Sequence, residues 1–277
     1  MEKHAYCKYA DEQILFKYEK TENCAGEQFN AHSHAVFEFL LILQGDVQYT
    51  VRGKEYRLQK NDFVITRASE MHRINPVKHS TYERYNVLFD EKRLPFDILE
   101  KLPADTDVVH LHHAGAVLSV FEKMRDCAEN ADEDLQKLML MGLMQELVAT
   151  VLLATRQEHK KVSRTPANNP AYEAVRYIEN HFETIKDIDE IANALYITKS
   201  HLHHLFIRHM GISPKKYIVS RRLSVAEKEI YEGAKPTEIY EKYGFSDYSA
   251  FYRAYKKQFG KSPADKTALY FGAEELY

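Results

Sequence analysis

The sequence predicts an α+β chain of several domains. It should have an N-terminal β-barrel, a helical hairpin, and a C-terminal all-α domain with two helix–turn–helix units. Three observations predict this. Short aliphatic and aromatic runs, broken by turn residues, fill residues from about 10 to 90. A helical period replaces them from about 114 to 158. A motif then recurs at a spacing of 49 residues within the C-terminal part. The expected units are a barrel over 1–113, a hairpin over 114–159, a linker over 160–169 and a helical domain over 170–277. A chain of 277 residues is long for one domain and comfortable for two.

In the first unit, Phe37–Leu43, Val47–Arg52, Glu55–Leu58 and Phe63–Thr66 read as strands. Gln44-Gly45-Asp46, Gly53-Lys54 and Lys60-Asn61-Asp62 read as the turns between them. Many short strands at this spacing favour a barrel or sandwich. In the second unit Val117, Val120, Phe121 and Met124 recur at helical spacing. So do Leu135, Leu138, Met139, Leu143, Leu147, Val151 and Leu152, and polar Glu129–Asp132 separates the two runs. The second helix is apolar around much of its circumference. That points to burial against a partner helix in a homodimer, with packing on the barrel alone as the alternative. Lys160–Asn169 is polar, contains Pro166 and reads as a linker, and Asn169-Pro170 resembles a helix start.

Composition narrows the class. Three scattered cysteines, Cys7, Cys24 and Cys127, include no CxxC pair and fit a reducing cytoplasm. Met1–His4 lacks a signal-peptide core, and Leu138–Ala154 is shorter than a membrane span needs, so no membrane partner is expected. The net charge of −3 conceals an asymmetry: residues 199–266 hold 14 basic against 7 acidic side chains. A basic stretch in an acidic protein suits a polyanion, while a solvated charged surface is the plainer account.

The repeat carries the argument. Ile188–Gly211 and Thr237–Gly260 align at 49 residues. Leu202 matches Phe251, Phe206 matches Tyr255, Gly211 matches Gly260, and Ser213-Pro214 matches Ser262-Pro263. Each copy reads as a short helix, a tight turn and a second helix, over about 187–210 and 235–258. Gly244 can reverse the chain in the second copy, whereas Leu195-Tyr196-Ile197 fills the turn in the first. Ser213 to about Gly233 reads as a long connecting helix that would hold two reading helices about 34 Å apart, one DNA turn. Its Arg221 and Arg222 could reach phosphates.

Residues 170–266 resemble the AraC/XylS family of transcription regulators. The resemblance rests on Gly244-Phe245-Ser246-Asp247, Phe251, Tyr255-Lys256-Lys257, Phe259-Gly260 and Ser262-Pro263. In the first copy, Ile191-Ala192, Leu202, Leu205-Phe206 and Gly211–Pro214 agree. It implies binding to double-stranded DNA, with RNA polymerase as a partner if the protein activates. It places Ser200, His203 and His204 of the first copy, and Tyr248, Ser249, Ala250 and Arg253 of the second, toward base edges. Arg253 suits a bidentate contact to guanine. Lys199, Arg208, Lys256 and Lys257 suit phosphate. The family usually carries arginine where this chain has His204, so the operator is unspecified. His201, His203, His204 and His209 also cluster, either as exposed polar residues or as a metal site.

His32-Ser-His34-Ala-Val-Phe-Glu38, then Gly45 after six intervening residues, is similar in spacing to the first cupin motif. His72 lies where the second motif places its histidine. The N-terminal unit is therefore expected to be cupin-like. Asn61 and Arg67 replace the glycine and proline that cupins favour. His32, His34 and Glu38 are all even-numbered, so one strand would put them on one face. Two imidazoles, a carboxylate and a third imidazole could hold a divalent metal. The resemblance favours instead a polar lining, with Arg67 and Tyr85 among the ligand-binding set and Tyr18, Phe29, Phe37, Tyr82 and Arg84 nearby. Aromatic residues stack on sugar faces, so a carbohydrate effector is expected. The expectation is a ligand-responsive regulator without catalytic residues. The alternatives are a metal-dependent cupin enzyme, or a regulator whose N-terminal unit only dimerises.

Overall fold

The computed structural model describes residues 3–11, 13–22, 30–76, 81–157 and 169–265. The N-terminal unit is cupin-like and made of two facing sheets. The strands are β1 (Lys3–Ala10), β2 (Ile14–Thr21), β3 (Phe37–Gln44), β4 (Val47–Val51), β5 (Lys54–Leu58), β6 (Asp62–Thr66), β7 (His72–Pro76), β8 (Tyr82–Phe89) and β9 (Val108–His110). Six form one sheet in the order β1-β2-β8-β3-β6-β9, and β5-β4-β7 form the other. The β4–β5 hairpin closes with Val51 opposite Lys54. Its central residues Arg52 and Gly53 both have positive φ, 47° and 72°, the mirror-image turn that matches strand twist.

Strand alternation divides the side chains into two cores. Leu40, Ile42, Val47, Tyr49, Val64 and Ile74 fill the space between the sheets. Phe16, Tyr18, Phe39, Phe63, Tyr85 and Val87 point out of the other face of the large sheet. Two helices cover that face, α1 (Gly115–Asn130) and α2 (Glu133–Gln157). Leu140, Met144, Leu147, Val148, Val151 and Leu152 of α2 join this core, while Leu135, Leu138, Met139 and Leu153 stay exposed. By length and composition alone, Glu133–Arg156 would suffice to cross a membrane. One face of it packs on the sheet and α1, and a third of that apolar window is buried. Cys7 and Cys127 are buried thiols.

The C-terminal unit is all helix: α3 (Pro170–His181), α4 (Ile188–Ala194), α5 (Lys199–Met210), α6 (Pro214–Tyr231), α7 (Pro236–Ile239) and α8 (Tyr248–Phe259). Asn169 caps α3 by accepting from the Ala171 N–H, but the expected linker over 160–168, like Phe29 and Cys24, lies outside the described residues. Two small cores form. Leu202, Phe206 and Met210 of α5 pack with α3, α4 and Tyr217. Phe251, Tyr255 and Phe259 of α8 pack with Leu223, Ala226 and Ile230. One helix, α6, therefore serves both cores.

Candidate DNA-reading surface and barrel site

Each C-terminal copy is built by the same backbone devices. The first helix of each ends in paired bonds that reverse the chain: Ile197 N–H to Ala192 C=O with Tyr196 N–H to Asn193 C=O, and Phe245 N–H to Tyr240 C=O with Gly244 N–H to Glu241 C=O. The second helices start on side-chain caps, Thr198 accepting from the His201 N–H and Asp247 from the Ala250 N–H. Both stop at left-handed glycines, Gly211 at φ 73° and Gly260 at φ 72°.

These devices leave the polar sides of α5 and α8 in solvent. Ser200, His203, His204 and Arg208 are exposed on α5, and Ser249, Arg253, Lys256 and Lys257 on α8. None of Arg253, Lys256 and Lys257 joins an ion pair among the described residues. Lys199 is exposed too, with its ammonium 3.0 Å from both Asp187 and Asp189. Tyr248 and Ala250 are half-buried, and the Tyr248 ring lies 6.2 Å from Phe251. Arg221 departs from the expected phosphate role. It points inward, bonding Glu179 at 2.9 Å and the Ser69 carbonyl at 2.6 Å. Arg222 likewise donates to the Phe182 and Ile185 carbonyls. The α5 histidines form no metal-holding group among the described residues; that cluster is in the barrel.

There, His32, His34 and His72 place ligand atoms within 4.8 Å of one another. The expected cause, alternation along one strand, does not hold. β3 starts only at Phe37, so His32 and His34 precede it. A bridge between His32 and His72 aligns them instead, with reciprocal backbone bonds of 3.0 and 2.9 Å. Each imidazole Nδ1 lies near a backbone carbonyl: His32 with Asn30 at 3.1 Å, His34 with Val36 at 2.9 Å and His72 with Glu70 at 2.9 Å. With Nδ1 of each ring turned to a carbonyl, Nε2 of His34 and His72 faces Glu38, where it donates when protonated and offers a lone pair when not. The Glu38 carboxylate lies 3.4 Å from His34 Nε2 and 3.1 Å from His72 Nε2, and accepts from Asn86 at 2.7 Å.

The electrostatics follow from burial and neighbours. Burial, reinforced by His72 and His34, drives His32 down to about 3 and keeps it neutral. Burial opposes charge on Glu38, but the hydrogen bonds from His34 and His72 outweigh it and hold the carboxyl well below its usual range. Burial likewise opposes charge on His72, and Glu38 reverses the balance and raises it. The group is thus a buried carboxylate surrounded by imidazoles. Ring nitrogens of three histidines within 4.8 Å of one another, an adjacent carboxylate and backbone carbonyls orienting the rings suit a divalent metal.

Two ligand candidates lie elsewhere. Tyr85 alternates onto the helix-covered face, where its ring stacks on Phe121 at 5.2 Å; Tyr18 and Phe37 share that face. Arg67 donates to the Pro103 and Thr106 carbonyls and fastens that loop. Sequence reasoning missed Lys17, Glu19 and Asn86, all buried and on the opposite face of their strands from Phe16, Tyr18 and Tyr85. Arg84 donates to Glu19 at 2.8 Å. The signal was available: in β2 and β8 the polar residues alternate with aromatic ones, so a polar face had to turn inward once the aromatic face met the hairpin.

Comparison with known proteins agrees with this geometry. A family model described as an AraC-like ligand binding domain matches residues 19–148, and one described as a helix-turn-helix domain matches 191–267. LumQ of Photobacterium leiognathi, named as a transcriptional regulator, is 30% identical over 136 residues, covering 49% of this chain and 52% of LumQ. The chain thus spans about half the length of that relative. The lactose operon transcription activator of Staphylococcus xylosus is 20% identical over 231 residues, 81% of each chain. Among solved structures, ToxT from Vibrio cholerae O395 covers 95% of this chain and is covered in full, at 12% identity and a TM-score of 0.39. With a ligand-binding domain ahead of a duplicated helix–turn–helix, the chain belongs to the AraC family of transcription regulators with an N-terminal cupin-like domain.

Proposed function

We propose that this protein reads one DNA duplex with α5 and α8, and that an effector held in the barrel alters that reading within a homodimer in the cytoplasm. The observation that carries it is the pair of equivalent helices, capped and terminated alike, with Ser200, His203, His204 and Arg208 on one exposed face and Ser249, Arg253, Lys256 and Lys257 on the other. An α-helix fits the major groove, and such side chains suit base edges and phosphates. Lys199, Tyr248 and Ala250 complete the proposed contact set at the helix starts. The exposed α2 residues Leu135, Leu138, Met139 and Leu153 suit a partner copy. If the protein activates, RNA polymerase is a further partner. The test is binding to a duplex selected from a random pool. Arg253→Ala should lose roughly 1–3 kcal/mol of specific affinity, and an unchanged preference over random DNA contradicts the assignment.

For the effector, a carbohydrate is supported by the buried polar residues Lys17, Glu19, Arg84 and Asn86 and by the sugar in the name of the lactose operon activator. A sugar that binds only the folded chain raises its melting temperature. A second reading has its own observation: ring nitrogens of His32, His34 and His72 lie close enough to share one divalent ion beside Glu38. Such an ion would supply a fixed positive charge that replaces the proton held between His72 and Glu38. Purified protein would then carry about one metal per chain, lost in His34→Ala, and absence of metal after zinc loading discards this reading.

A further inference from the structure

The two reading faces differ in charge, position by position. At the offset of 49 residues, His204 of α5 matches Arg253 of α8, Ile207 matches Lys256 and Arg208 matches Lys257. Thus α8 presents three exposed cations, whereas α5 has an imidazole and an exposed isoleucine in place of two of them. The cation at the start of α5 is offset as well. Lys199 lies 3.0 Å from both Asp187 and Asp189, two carboxylates against one ammonium. Arg208 is the one arginine or lysine of α5 outside an ion pair among the described residues. His203 and His204 are exposed beside it, with ring centroids 6.1 Å apart, so both serve one patch. Among the described residues neither imidazole joins an ion pair or a hydrogen bond. The elements packed on α5 meet its other side, through Leu202, Phe206 and Met210. There α3 brings Tyr172, whose ring lies 5.6 Å from His209, and α6 brings Tyr217, 5.3 Å from Phe206. The barrel brings Arg73, which donates to the His209 carbonyl. At the start of α4, Asp187 and Asp189 hold Lys199, and Glu190 accepts from the Lys186 and Asp187 N–H groups.

We propose that His203 and His204 make α5 a reader strengthened by acid: protonated, they meet the duplex as cations, and neutral, they leave α8 to supply most of the charge. Histidine is the side chain whose ordinary change of charge falls between pH 5 and 8. Its two states also present different hydrogen-bonding groups. A neutral imidazole offers one donor and one acceptor, whereas imidazolium donates from both nitrogens. In the major groove guanine presents two acceptors, N7 and O6, while cytosine presents an amino donor. The protonated rings therefore suit guanine and phosphate oxygens, and a duplex supplies the anionic partner that the described residues do not. Binding then takes up protons, and by linkage a lower pH favours the complex. His204 stands where α8 carries the permanent guanidinium of Arg253, so it is the larger contributor. At that position the medium sets the charge of the first reader, and the second is charged throughout. The inference deepens the assignment of α5 and α8 as DNA readers and rests on it.

The test uses the full chain and a duplex selected by the wild-type protein at neutral pH. Between pH 8 and pH 6, where histidine titrates, wild-type affinity should rise by a factor within the range of about 5–150 usual for coupled sites. The double variant His203→Gln, His204→Gln keeps polar side chains at two exposed positions but cannot titrate there, and its affinity should stay nearly flat over the same interval. His204→Arg carries a charge that does not titrate. It should bind more tightly than the wild type at pH 8 and gain less on acidification. Calorimetry at neutral pH, in two buffers of different ionisation heat, should show the wild type taking up protons on binding and the double variant taking up fewer. A merely structural role would not move that signal. Equal wild-type affinity at pH 6 and pH 8, or an undiminished rise in the double variant, overturns the histidine proposal and leaves DNA reading intact. Failure of the wild type to enrich any duplex overturns the reading of α5 and α8, and the proposal with it.

Discussion

The two helix–turn–helix copies have the same plan and solve one local problem differently. Both first helices end with a residue in the left-handed region. In the second copy it is Gly244 at φ 72°, and in the first it is Tyr196 at φ 55°. Glycine adopts this conformation without strain, whereas a tyrosine there is disfavoured by roughly 1–2 kcal/mol. The register differs as well. From Tyr196 to Gly244 is 48 residues, but from Gly211 to Gly260 is 49. The first turn is one residue shorter, because Thr198 caps α5 directly after Ile197, while Ser246 intervenes before Asp247. Packing of Leu202 and Phe206 in the first core holds a turn that its own residues disfavour. A duplicated unit can thus keep its architecture while tertiary contacts override local preference at one position.

That comparison can be broken at several points. The largest effects belong to the cores. Phe251→Ala should destabilise by about 3–5 kcal/mol and Leu202→Ala by about 2–5 kcal/mol, read by urea denaturation. If the copies rest on α6 as described, both variants should unfold the C-terminal unit in one transition, and two separated transitions would show the copies to be independent. Next come the reading faces. Arg253 and His204 occupy equivalent positions, 49 residues apart. Arg253→Ala should cost roughly 1–3 kcal/mol of specific binding, His204→Ala less, and equal losses would erase the asymmetry.

The turns themselves give smaller effects. Gly244→Ala should destabilise by about 1–2 kcal/mol, since its left-handed backbone disfavours a side chain. The added Cβ would also fall 2.5 Å from the Arg222 guanidinium, which would have to shift. Tyr196→Gly should stabilise by about 0.5–1 kcal/mol, because relief of strain is partly offset by a freer unfolded chain. A loss of stability there would mean that Tyr196 makes contacts its exposure of 97% does not suggest.

Much of this was legible in the sequence. The repeat was visible through Gly211/Gly260 and Ser213/Ser262, since caps and stops are local and leave a residue signature. The histidine motif was visible as well, though for the wrong geometric reason. His32 and His34 come together with His72 through a bridge between loops, and single-strand alternation cannot reveal a pairing between distant segments. Tyr85 was assigned to the wrong face because its side depends on which face of the sheet the hairpin covers. Arg221 looked like a phosphate contact because charge is visible in sequence and its partners, Glu179 and the Ser69 carbonyl, are not. The row Arg221, Ser224, Lys228 and Tyr231 of α6 was hidden for the same reason: it bonds Ser69, Ser33, Glu91 and Asp90 of the N-terminal unit, and a polar row reads as solvent-facing until a second domain is placed against it.

The most direct measurement is guanine-methylation interference on a selected duplex, comparing the wild type with Arg253→Ala. Two clusters of interfering bases about 10–10.5 base pairs apart are expected, and the variant should lose one cluster while keeping the other. A single cluster in the wild type, or both clusters surviving in the variant, contradicts the claim that α5 and α8 read consecutive grooves of one duplex.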